Sequence, residues 1–529
     1  MQAIKVVAPV MRISQDVEQS HIVHVGCQRS TQQVLTAQSF QLGPAPPQQS
    51  SWVYNPPSLS TITDRQVYVR AYLEVTTNQP YTLGVEDGLR SFPLNSIVDV
   101  TTVQINGESV SDNTQSKLQA LLTHGVSQAD LDKSSSTSPC YPDQYQEYSD
   151  WTTLGSARNP LAFFGENSAN VSRGAFEVQV VSPTVLRVIV CEPIFVSPMI
   201  SGFHGQSEGF INVNELTVNL RHSPNVGRVW SHSSNGNPIT VVGCTFYQAP
   251  ELLITSCTPP LDQALPSLQM LPYSKPNEYI RQMPSMPAGS SLNIYSDTIR
   301  LSQIPRYIYL FAKHSESTQS FQTSDSFLSI ENISVQWGNS SGLMSGASKP
   351  QLYEIARKNG CTLSYPQWTK FRGSVLSLEL GTDIGLEAFE APGLNGAYTI
   401  QVQVTFKNQS SVAFVGDFYM VTINEGIFSI APNVARASLG NLTVQQILDA
   451  RASRNEMSSG HYRQLVGSGF WSSLRSIVNK VSGALAPVLG AVNPALGQIA
   501  TGVRDLTADG GRMQKGVMSS VSSRYIKQR

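Results

Sequence analysis

The chain has 529 residues, about 3.5 times a usual domain of roughly 150, so more than one core is expected. Only 14% of residues are charged, where soluble domains average about 25%, yet 40% are apolar, which supports sizeable cores and excludes global disorder. A net charge of −1 excludes a protein that holds nucleic acid with its whole surface, though not one with a local basic patch.

Residues 1–29 read as an N-terminal arm, without the features of a signal peptide. The body that follows alternates. Val67, Val69, Ala71, Leu73 and Val75 fall on one face of a strand, with polar or larger residues between them. Asn106-Gly107, after Val100-Thr-Thr-Val-Gln-Ile, marks a tight hairpin. A Ser-rich stretch from Lys133 to Trp151 reads as a long surface loop. Between Val213 and Leu216 the apolar phase switches, which predicts a bulge or a bend. Further on, Leu376, Leu378 and Leu380, then Tyr398, Ile400, Val402, Val404 and Phe406, keep period two. The body is all-β.

An internal repeat organises these strands. Val98-Asp-Val-Thr-Thr-Val-Gln-Ile105 resembles Ile330-Glu-Asn-Ile-Ser-Val-Gln-Trp337, and each copy precedes a short helix. Leu118, Leu121 and Leu122 answer Leu352, Ile355 and Ala356, and the helices end at Gly125 and Gly360. Ser50-Ser51 and the strand at 67–75 answer Ser290-Ser291 and the strand at 307–311. The matches keep one order and offsets of 232 to 240 residues, which predicts a duplicated domain. Two tandem eight-stranded jelly rolls with short helices are expected, at 30–250 and 285–435, separated by a Pro-rich joint at 251–284.

The tail, 436–529, differs. From Asn441 onward it has 11 Lys+Arg against 4 Asp+Glu, a net +7, so the preceding body carries −8. Trp471, Leu474, Val478, Val481, Leu485, Val488 and Val492 step by three and four and predict an amphipathic helix near 470–492. Gly483, Pro487 and Gly490 kink it or make it conditional. The basic end offers Arg512, Lys515, Arg524, Lys527 and Arg529 as nucleic-acid contacts.

Chemistry is hard to find. Gly205-Gln-Ser207-Glu-Gly209 and Gly338-Asn-Ser340-Ser-Gly342 both match G-x-S-x-G. A nucleophile elbow needs a strand, a sharp turn and an immediate helix; a strand follows the first match and a spacer follows the second. His21, His24 and Cys27 have metal-ligand types, but a strand turns His24 away from the others. The six cysteines contain no C-x-x-C and read as buried free thiols in a reducing compartment. No enzyme activity, metal or cofactor is expected.

Several motifs resemble the double jelly-roll major capsid proteins of DNA viruses. They are Asn159-Pro-Leu-Ala, Arg173-Gly-Ala-Phe176, Glu192-Pro-Ile-Phe-Val-Ser-Pro198, Ile304-Pro-Arg-Tyr-Ile-Tyr-Leu-Phe311, Asn332-Ile-Ser-Val-Gln-Trp337 and Leu352-Tyr-Glu-Ile-Ala-Arg-Lys-Asn-Gly360. The likeness covers roughly residues 50–430 and is greatest to polinton-like viruses and virophages, with adenovirus hexon and giant-virus capsid proteins more remote. It implies a homotrimer whose six jelly rolls form a pseudo-hexagonal block in an icosahedral shell, made inside the host cell and placed in the virion. It also implies minor capsid or penton proteins as partners. The tail stripe would meet an internal membrane or an inner capsid protein, and the basic end the genome DNA. The competing reading is a trimeric β-sandwich adhesin or fibre protein that binds glycans; a jelly-roll carbohydrate-active enzyme would need two converging carboxylates.

Overall fold

The computed structural model describes residues 49–440 except 82–87, 127–137, 139–141, 143–176, 200–208, 232–238, 260–264, 316–317, 320–322 and 388–389, and adds 10–14, 22–26, 29–37 and Val444. Within the body, two antiparallel sheets face each other, and then the arrangement repeats. In the first roll one sheet runs Arg29–Thr36, Val241–Thr258, Tyr68–Thr77 and Val185–Pro193 in spatial order. Its partner sheet runs Gln49–Tyr54, Leu216–His222, Val98–Ile105 and Glu108–Asp112.

The second roll has the same order. Gln269–Gln282, Gly416–Ala431, Tyr307–His314 and Leu376–Glu379 make one sheet. Ser291–Tyr295, Asn395–Lys407, Ser329–Trp337 and Ser340–Leu343 make the other. Both rolls exceed eight strands. The first adds Ile62–Asp64, Glu177–Ser182 and Gly209–Phe210 to these sheets, and the second adds Ile299–Gln303 and Val434–Leu439.

Local chemistry explains these elements. Val69, Ala71, Leu73 and Val75 are buried on alternate positions of their strand, as are Ile400, Val402, Val404 and Phe406 on theirs. Asn106 and Gly107 both take positive φ, 47° and 87°, which suits the right-handed twist of the two strands they join. The phase switch near residue 213 is a bend: Asn212 sits at φ 60°, between Gly209–Phe210 and Leu216–His222. Helix Leu118–Leu122 follows the hairpin of the first roll, and helix Lys349–Lys358 follows that of the second. Ser348 and Gln351 form a reciprocal capping box at the start of the longer helix. Gly125 and Gly360 lie at φ 83° and 100°, past the two helix ends.

Two expectations need correction. The Pro-rich stretch is largely strand, so the first roll runs to Thr258 and the second begins by Gln269, which leaves 259–268 as the connection. Pro272 and Pro276 are tolerated because Gln269–Gln282 is an edge strand, where two residues four apart direct their missing N–H groups to the unpaired side. The thiol reading also fails at one position. Cys257 is disulfide-bonded, whereas Cys244 and Cys361 are buried free thiols. Spacing along a sequence is blind to such a bond, because the pairing of strands in the folded chain decides which thiols meet.

Candidate functional site

A protein built from two rolls must first hold them in one orientation. The first roll's core also takes in Leu271, Tyr273, Phe428, Ile430 and Ala435 of the second. A smaller apolar cluster reverses the direction, with Ala120 of the short helix among Tyr309, Phe311, Phe327, Val375, Tyr419 and Val421. Hydrogen bonds reinforce this at the far side, where Asn106 Nδ2 donates to the Ala431 carbonyl at 3.2 Å and the Ala437 N–H donates to Glu108 at 3.0 Å.

The polar part of the seam centres on Arg90. Its guanidinium meets Asp325 at 3.0 Å and also donates to the Ser324 carbonyl at 2.9 Å and Gln319 Oε1 at 3.0 Å. Ser91 Oγ donates to the other Asp325 oxygen at 2.9 Å. The Asp325 side chain is 1% exposed and that of Arg90 11%, so this ion pair is shielded from water. Beside it the segments past the two helices join directly. The Gly125 N–H donates to the Gly360 carbonyl at 2.7 Å, and the Thr362 N–H to the Thr123 carbonyl at 3.0 Å. His124 packs edge-on against Tyr309, with ring centres 4.9 Å apart. Arg90 and Asp325 stand 235 residues apart and Thr123 and Thr362 239, within the offset of the repeat, so equivalent parts of the two copies meet.

Glu192 organises the first roll's side of the seam. Its carboxyl accepts from the Leu94 and Asn95 N–H groups, each at 2.8 Å, and from Asn95 Nδ2 at 2.8 Å. Those N–H groups open the short helix Pro93–Ser96 and lack partners within it. Burial pushes the Glu192 carboxyl up to about 7, against the pull of these donors. Ser138, within the Ser-rich stretch read as surface loop, is itself buried and donates to the Cys191 carbonyl.

Three histidines, His124, His222 and His314, are pushed down to about 4 by burial. A free imidazole titrates near 6.5, so between 6.5 and 4 the unfolded chain takes up protons that the folded chain refuses. Stability contributed by these groups is therefore present above about 6.5 and lost on acidification towards 4. His222 alone accounts for about 3 kcal/mol over that window. Glu192 acts in the opposite sense between 4.5 and 7, so the clean measurement is a difference. We expect His222→Gln to keep a partner for Ser50, which lies 3.0 Å from the His222 ring, and to flatten the pH profile. Urea unfolding of both proteins at pH 7 and pH 4 checks this; parallel profiles would rule it out.

The sequence candidates fall elsewhere. Ser340 lies in the tight hairpin between Ser329–Trp337 and Ser340–Leu343, with Gly338 and Gly342 at positive φ, and no helix follows directly. Ser207, His21 and Cys27 lie outside the described residues, as does the side chain of His24. The tail stripe from Trp471 to Val492 and the basic residues from Arg512 to Arg529 also lie outside them. The seam residues were missed, although the repeat offset carried a signal for them.

Comparison with known proteins matches both rolls. The family model for the Sputnik virophage major capsid protein 1st domain covers residues 8–184, and that for the Major capsid protein V20 C-terminal domain covers 277–426. The chain is 28% identical over 522 residues to putative capsid protein V20 of Sputnik virophage, across 90% of this chain and 86% of that one. The chain belongs to the double jelly-roll major capsid proteins. This capsid protein superposes on a chain of the 3.5 Å cryo-EM structure of the Sputnik virophage with a TM-score of 0.72 and 28% identity, covering 85% of this chain and 94% of that one. The mavirus major capsid protein shares the fold, with a TM-score of 0.64 and 15% identity, over 79% of this chain and 92% of its own. The place of a major capsid protein is the shell of the virus particle.

Proposed function

We propose that this capsid protein assembles as a homotrimer in which the first roll of one chain contacts the second roll of the next, and that these pseudo-hexagonal blocks tile an icosahedral shell. The observation that carries this reading is the shared core: two similar but non-identical rolls held in one orientation present two different outer flanks. Three copies then close a ring through one repeated heterologous contact. The outer edges suit such a contact. Edge strand Glu177–Ser182 exposes Val180 and Val181 at 61% and 48%, and edge strand Gln269–Gln282 exposes Ile280 at 50%. Unpaired apolar edges are usually blunted in monomers. Light scattering on the purified full-length chain is expected to give three times the chain mass; a stable monomer at micromolar concentration would overturn the reading.

The tail has a separate role in this proposal. Residues 441–529 face the shell interior, where the stripe from Trp471 to Val492 docks on a membrane or an inner capsid protein and the basic end meets DNA. Its net +7 beside a body of −8 supports contact with a polyanion, which weakens steeply with salt. Deleting 467–529 is expected to leave trimers intact while abolishing enclosure of DNA or recruitment of membrane. Loss of the trimer itself would identify the stripe as core.

A further inference from the structure

The two rolls present the same sheet face to different surroundings. Tyr68–Thr77 and Tyr307–His314 hold equivalent places in their sheets. Each lies between a long strand, Val241–Thr258 or Gly416–Ala431, and a shorter one, Val185–Pro193 or Leu376–Glu379. Alternation turns Val69, Ala71, Leu73 and Val75 into the first core, so Tyr72 and Glu74 face outward. In the second roll the outward residues Tyr309 and Phe311 are buried, in a cluster that includes Ala120 from the first roll's helix Leu118–Leu122. Both faces carry a long-strand tyrosine beneath a cation. Lys313 lies 5.3 Å from the centre of the Tyr419 ring, and Arg187 lies 4.8 Å from that of Tyr247.

In the first roll this face is a groove. Glu74, Arg187, Gly243, Thr245 and Tyr247 are among the residues lining a hollow of about 590 Å³. Tyr247 is half-buried where Tyr419 is buried, and the Arg187 and Glu74 side chains, 2.7 Å apart, remain 37% and 28% exposed. Val242, 62% exposed, also borders the groove, and the exposed edge strand Glu177–Ser182 belongs to the same sheet. A helix is left over in the same way. Lys349–Lys358 packs on its own roll through Leu352 and Ala356, and leaves the Glu354 and Arg357 side chains 58% and 62% exposed. At the offset of 234 that pairs the two helices, Glu354 is the counterpart of Ala120.

We propose that the groove takes the helix Lys349–Lys358 of a second copy of this chain, so that every roll's sheet receives the helix of the roll before it. The proposal rests on the trimer reading and names its contact. Polarity changes together on the two sides of that contact. Ala120 meets Tyr309, Phe311 and Val421, whereas the face offered to Glu354 bears Tyr72, Arg70 and Arg187, with both arginines partly exposed. Contacts between separately folded chains keep polar surface of this kind. Repeated from chain to chain, and alternating with the seam inside each chain, one such contact closes a ring of rolls.

The test mixes two full-length variants, Glu354→Cys and Thr245→Cys, treats the assembled protein with a short bismaleimide, and maps the joined peptides by mass. Light scattering on the same sample reports the oligomer. We expect trimers in which residue 354 of one chain is linked to residue 245 of another. Glu354→Lys, which sets like charge against Arg70 and Arg187, should raise the concentration at which trimers dissociate by at least about tenfold. Trimers in which residue 354 links elsewhere or nowhere, or whose dissociation is unchanged by Glu354→Lys, would overturn the helix contact and leave the trimer reading standing. A monomer would overturn both.

Discussion

Asp325→Ala is expected to destabilise the protein by about 3 kcal/mol and to release the polar half of the seam. Breaking a buried ion pair from one side generally costs about 3–5 kcal/mol, because the remaining charge stays buried without compensation. The lower end applies here, since Arg90 keeps the Gln319, Ser324 and Arg228 oxygens as acceptors. Ser91 would lose its acceptor as well. The paired change, Arg90→Met with Asp325→Leu, should recover most of the loss, because replacing both partners removes the uncompensated charge. Denaturant unfolding of the single and double variants measures the coupling, and the yield of oligomer reports whether roll orientation matters for assembly. A single variant as stable as the parent would show that the shared apolar core holds the rolls without help.

Gly373→Ala should be more damaging still. Gly373 sits at φ 82°, and an added Cβ would stand 1.8 Å from the Phe327 carbonyl oxygen and 2.5 Å from its carbon. The obstacle is backbone, fixed by the Phe327 N–H donating to the Arg372 carbonyl at 2.8 Å and the Ser374 N–H donating to the Leu328 carbonyl at 3.1 Å. No rotamer relieves it. A loss above about 4 kcal/mol is expected, the range reserved for core and backbone failures, and it should appear as insoluble protein. Gly338→Ala is the control. Gly338 also has positive φ, at 53°, but nothing lies within 4 Å of the added Cβ, so it should cost only about 1 kcal/mol. Equal soluble yields for the two variants would contradict the steric argument.

The two kinds of glycine differ in how far their constraint is written locally. Gly125 and Gly360 are legible as helix ends because a left-handed C′ residue follows from local helix geometry. Gly373 is not, because its constraint is a carbonyl 46 positions earlier in the chain, brought near by the facing sheet. The same division separates the strands from the seam. A half-buried strand writes its period into neighbouring residues, so alternation alone assigns the buried faces of Val69–Val75 and Ile400–Phe406.

The sequence by itself determined the all-β class, the duplication and the family likeness, since alternation, turn chemistry and repeated motifs are properties of short segments. Only the tertiary structure decided that the Pro-rich stretch is strand, that Cys257 is bonded, and that Arg90 meets Asp325 in a buried seam. An edge position excuses a proline, and the folded chain selects which distant thiol or charge becomes a neighbour. Arg90 and Asp325 are brought together from 235 residues apart, and no local pattern records that meeting.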